Sequence, residues 1–131
     1  MMTVVKDTIL ARATAVVDRI SADYPGRLSE DLEVLEADLA AGRREQALRA
    51  AQNIAGEATC FGWPAASALG SVLRDLLEQK HSPKADEGAL VIVGSMKMLL
   101  ADRRPHLEGA NEDLLDKLRG MVSAIADQSA R

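Results

Sequence analysis

Aromatic side chains are almost missing from this chain: of 131 residues, the aromatics are Tyr24, Phe61 and Trp63. A core must therefore be built from Leu, Ala, Val and Ile, and the scarcity of β-branched runs points to helices rather than sheet. Cysteine is reduced to Cys60, which excludes a disulfide within the chain and fits a reducing compartment. Long hydrophobic runs are also lacking. The longest, Ala89 to Val93, is far too short to span a bilayer, so no membrane association is expected. The N-terminus has no basic segment followed by an apolar one, as a secretory signal would, and a cytoplasmic location is expected. Charge of one sign is not concentrated anywhere. Sixteen Lys and Arg are interspersed with twenty Asp and Glu, for a net −4, and no basic stripe offers a path for nucleic acid. The two histidines, His81 and His106, have no Cys or carboxylate companions at ligand spacing, so neither a metal site nor a cofactor is implied.

What remains is helical periodicity. Ile9, Ala13, Val16 and Ile20 form one apolar stripe, and this helix is expected to end, or at least kink, near Asp23, since the residue before Pro25 is pushed from helical dihedrals. Leu28, Leu32, Leu35 and Leu39 form a second stripe, stopped by Gly42. Ala47, Ala51, Ile54, Ala58 and Phe61 form a third, followed by a Gly62-Trp63-Pro64 corner in which Pro64 opens the next helix. That helix carries Leu69, Val72, Leu73, Leu76 and Leu77. The stretch from His81 to Gly88 reads as a polar loop with Pro83 and Gly88 as breakers, and 89–100 as a buried helix. A last helix carries Leu114, Leu118, Met121 and Ile125, with Asn111 as its cap. Length and connections predict one domain over 1–131. It is an all-α antiparallel four-helix bundle from segments near 27–41, 44–61, 65–79 and 88–102, with additional N- and C-terminal helices packed on it.

The third helix differs from the rest on its outer face. At 100° per residue from its apolar seam, the opposite side presents Glu45, Arg49, Gln52, Asn53 and Gly56. A glycine within an exposed helix costs about 1 kcal/mol relative to alanine and adds nothing to the core. Its presence suggests that something outside approaches the backbone there.

The stretch Ala51-Gln52-Asn53-Ile54-Ala55-Gly56, with Gly62 six residues later, resembles the signature of the histidine-containing phosphotransfer (HPt) domain family. In that family the helix reads A-H-x-L-K-G, and a second glycine follows at this spacing. Gly42 lies ten residues before the histidine position, and Leu69, Leu73 and Leu77-Glu78 follow as that family's next helix does, so the likeness spans roughly residues 10 to 80. Two departures stand out. Gln52 occupies the phospho-acceptor position, and Ala55 replaces the usual lysine. Phosphotransfer needs an imidazole nitrogen as nucleophile, and a nearby cation helps to hold the moving phosphoryl group. An amide, with its lone pair delocalised, cannot attack.

The resemblance thus implies no enzyme but a degenerate HPt-like protein of two-component signalling. It would bind a response-regulator receiver domain or a histidine kinase, to sequester, bridge or inhibit it. The implied partner-binding face is Arg49, Gln52, Asn53, Ala55, Gly56, Glu57 and Thr59, with no catalytic residue. Two alternatives stand beside it: an active phosphotransfer protein using a displaced histidine, His81 or His106, and a helical module that forms a homo-oligomer through 89–100. Met96 and Met98 are expected as core filler and Cys60 as a small packed residue, and Trp63 could close one end of the bundle with Phe61 and Tyr24 or anchor a contact.

Overall fold

The computed structural model describes residues 2–79, 81–106 and 110–129, with side chains over 8–79, 81–106 and 112–127. These residues form five helices and no strand: α1 (Met2–Ala40), α2 (Arg44–Glu57), α3 (Pro64–Glu78), α4 (Pro83–Ala101) and α5 (Ala110–Ser129). Helix α1 packs on α2 and α4, α2 on α3, α3 on α4, and α5 lies against α3 and α4. One continuous cluster of buried side chains fills the space between them, from Tyr24, Leu28, Leu32 and Leu35 on α1 to Leu115, Leu118, Val122 and Ile125 on α5. The predicted seams of the second, third and fourth segments are all in this cluster, apart from Leu39 and Phe61, which are half-buried against it. No helix among the described residues is long and apolar enough to cross a membrane.

Three helix ends share one closure. After α1, the Arg43 N–H donates to the Asp38 carbonyl at 2.8 Å and the Gly42 N–H to Leu39 at 3.3 Å. After α2, Trp63 donates to Ala58 at 2.8 Å and Gly62 to Thr59 at 3.2 Å. After α4, Arg104 donates to Leu99 at 2.9 Å and Arg103 to Leu100 at 3.2 Å. These are Schellman pairs, which satisfy carbonyls that the helix leaves open and require a left-handed residue next to the last bond. Gly42 and Gly62 supply it at φ 76° and 85°; in the third, Arg103 takes φ 52° despite its Cβ.

Several expectations are corrected. The first segment does not break before Pro25: α1 runs through it as 39 residues. The proline removes one hydrogen bond, to the Ser21 carbonyl, but the burial of Tyr24, Leu28 and Leu32 around it outweighs that loss. Nor does the first stripe pack on the bundle, since residues 8–20 are exposed throughout. The stretch from His81 to Gly88 is mostly helix. Ser82 accepts from the Ala85 N–H at 3.1 Å as the N-cap of α4, and Pro83 takes the first helical position. Gly88 is buried inside α4, where an added Cβ would come within 2.9 Å of Met121 Cε and 3.0 Å of Leu76 Cδ2, so it permits contact rather than breaking the helix. Met98 is 66 % exposed, and Cys60 is exposed as well, so neither is core filler. In α4, Ala89, Ile92, Val93, Met96 and Leu99 face the core, while Leu90, Val91 and Met98 of the same stretch face outward. On α5, Leu115 and Val122 are buried where Leu114 and Met121 were expected, with those two half-buried beside them. Asn111 lies within the helical span, and its side chain is outside the described residues.

Candidate functional site

The candidate face belongs to α2, and both ends of that helix are fastened. At its start, Arg44 donates to the Gln79 carbonyl at 3.0 Å and reaches Asp86 Oδ1 at 3.4 Å, which ties α2 to the α3–α4 connection. Arg43 bonds Asp38 at 2.7 Å. At its far end the Gly62 turn redirects the chain into α3, and the Ala65 N–H finds the Pro105 carbonyl at 2.9 Å. Inward, α2 buries Ala47, Ala51 and Ile54. The small seam is what lets α3 come close: an added Cβ on Gly70 would sit 3.0 Å from the Ala55 nitrogen and 3.0 Å from Ile54 Cγ2. The Ser67 hydroxyl donates to the Ala55 carbonyl at the same contact.

Outward, Arg49, Gln52, Asn53, Gly56 and Thr59 are exposed. Nothing lies within 4 Å of the place where a Cβ on Gly56 would stand, so the backbone there is open to a neighbour. The two other expected site residues are at the margins. Ala55 is half-buried against α3 through Ser67 and Gly70, and Glu57 is half-buried toward α1, with its carboxylate 3.3 Å from Arg27. The face is therefore narrower than the sequence suggests, a strip of Arg49, Gln52, Asn53 and Gly56 with Thr59 beyond.

Cys60 joins that strip and was missed. Its Sγ lies 3.8 Å from the Gly56 carbonyl, on the exposed side. The signal was available, because position 60 follows 56 by one helical turn and 53 by two. Its type, usually buried, argued the other way.

Beside Glu57, α1 contributes Tyr24, Arg27 and Asp31. Burial, with the carboxylates of Glu57 and Asp31 adding to it, pushes the Tyr24 phenol up to about 12, against an opposing pull from Arg27. The Asp31 carboxyl is raised by burial and by Glu57, while Arg27 works to lower it. Tyr24 also stacks on Phe61, ring centres 4.9 Å apart and tilted by 30°. Trp63 is buried at 8 % exposure and lines one wall of a groove of about 850 Å³ between α1, the Gly62 corner and the end of α4. Trp63, which the sequence leaves open between core and contact, is thus buried, and Tyr24 and Phe61 pack on each other.

The histidines are elsewhere. His81 is exposed in the α3–α4 connection with Nε2 2.8 Å from Asp86 Oδ2, and His106 is exposed after Pro105. Among the described residues no three His, Cys, Asp or Glu side chains are grouped as metal ligands. The Gln52 strip itself can donate and accept hydrogen bonds but holds no imidazole nucleophile. No family model, curated protein or solved structure matches the chain.

Proposed function

We propose that this protein is a non-catalytic HPt-like module of two-component signalling, which docks a receiver domain or a histidine kinase through the exposed strip of α2. The observation that carries the reading is Gly56: a helical glycine with open space outside it, flanked by Gln52 and Asn53, with Gly62 in a left-handed turn six residues on. The cycle of contacts α1–α2–α3–α4–α1, with short connections, supports taking these four as the antiparallel bundle of that family, with α5 and the first half of α1 as additions. A strip with one cation and two amides beside bare backbone suits a partner that is recognised by shape and neutral hydrogen bonds. Phosphoryl transfer is not part of this function, since Gln52 lacks a nucleophilic nitrogen and Ala55 supplies no cation.

His81 is the specific rival. Asp86 holds its Nε2, which leaves Nδ1 for chemistry, but a carboxylate that close repels an incoming phosphoryl anion. The test is to incubate the chain with labelled, phosphorylated receiver or autophosphorylated kinase while following the amide spectrum. Shifts over 49–59 with no acid-labile label on the chain support the proposal. Label mapping to His81 or His106 would replace it with active transfer, and an unchanged spectrum with every receiver and kinase of the source cell would remove it.

A further inference from the structure

Helix α1 continues well past the array it packs on. From Thr8 to Ile20 every side chain is exposed, and Ile9, Leu10, Val16, Val17 and Ile20 are 42 to 61 % exposed. At 100° per residue these five and Ala13 fall within an arc of about 120°. One edge of that arc runs directly into Tyr24 and Leu28, which are buried. An arc of this width is typical of a helix that buries one face against a neighbour. It is a core face that nothing in this chain covers among the described residues.

Charge and size identify the occupant. Across 8–23 the ionisable side chains are Arg12, Asp18, Arg19 and Asp23, which sum to zero. A second copy would meet no like-charge repulsion, whereas a helix lying on an anionic membrane surface carries an excess of Lys and Arg on its polar face. The apolar residues span about 16 Å of helix, and two such faces together would remove on the order of 1,000 Å² from water, the lower bound of specific interfaces. We infer that the first half of α1 is a self-association surface, which pairs with the same segment of a second copy in a reversible two-fold homodimer. The pairing is independent of the reading of α2, because it leaves the Gly56 strip uncovered.

Sedimentation of the full chain tests it. The expected result is a concentration-dependent monomer–dimer equilibrium with a midpoint of about 1–100 μM, as suits so small an interface. The double variant Ile9→Glu with Val17→Glu should move that midpoint by about tenfold or more and leave the helical circular dichroism unchanged. Should the variant lose its fold, hydrogen exchange of the unaltered chain decides: protection over 9–20 should rise with protein concentration while that of 44–57 stays constant. A chain that remains monomeric at about 1 mM, or a dimer indifferent to the two glutamates, would overturn the inference. So would a monomer that binds phosphatidylcholine or phosphatidylserine vesicles through this segment.

Discussion

Two glycines with the same formal helix penalty have opposite structural reasons. Gly56 faces open space, so Gly56→Ala should stabilise the fold by up to about 1 kcal/mol through helix propensity. Gly70 presses on the α2 backbone, with 3.0 Å between its would-be Cβ and the Ala55 nitrogen. Backbone cannot rotate aside as a side chain can, so Gly70→Ala should destabilise by about 1–3 kcal/mol. Urea denaturation of both variants measures the pair, and equal effects would contradict the assignment of the α2–α3 contact. Arg103 offers a third case. It holds φ 52° where the two equivalent turns hold glycine. Left-handed backbone costs a residue with a Cβ about 1 kcal/mol or more, so Arg103→Gly should raise stability by about that amount with an unchanged denaturant slope. A loss of stability would mean that the arginine side chain contributes a contact outweighing its backbone strain.

Between elements, the contact of α1 with α2 carries a titration. The Tyr24 phenol is raised to about 12 in the folded chain, against about 10 when unfolded. The folded state therefore holds its proton more tightly, and the associated stability is complete below pH 10 and lost as pH rises from 10 to 12. The loss should be on the order of 2 kcal/mol, read as the difference between the pH profiles of the native chain and Tyr24→Phe, which cancels the lysines titrating in the same range. Parallel profiles would show that Tyr24 is not desolvated at this contact. The helices themselves were legible because their stripes repeat at 3.6-residue spacing, and the buried set on α2 and α3 follows those stripes closely. Pro25 and Gly88 misled because local propensity says nothing of the tertiary burial that overrides it: one sits beside Tyr24, the other under Met121. Periodicity also identifies an apolar face without saying whether anything covers it, so the stripe from Ile9 to Ile20 reads as core although the array leaves it exposed. For the candidate site, the outward direction of Arg49, Gln52, Asn53 and Gly56 was legible. The lean of Ala55 toward α3 and of Glu57 toward α1 was not, since it depends on which helices flank α2.

At the scale of the whole molecule, two separate surfaces are proposed for contact, the strip of α2 for a signalling partner and the first half of α1 for a second copy. The α2 strip is the central claim, and it is tested most directly by Gly56→Arg, with a melting curve and a binding titration on one preparation. A larger side chain has room to stand outward at Gly56, so the melting temperature should stay within about 2 °C of the native chain. The same side chain occupies the space a docked partner would need, so affinity for the cognate receiver or kinase should fall by about a hundredfold or more. Labelling of the exposed Cys60 thiol, one helical turn away, should be slowed by the partner in the native chain and unaffected in the variant. A variant that melts far below the native chain would contradict the exposure of Gly56, and one that stays folded, binds normally and shields Cys60 would contradict docking on α2.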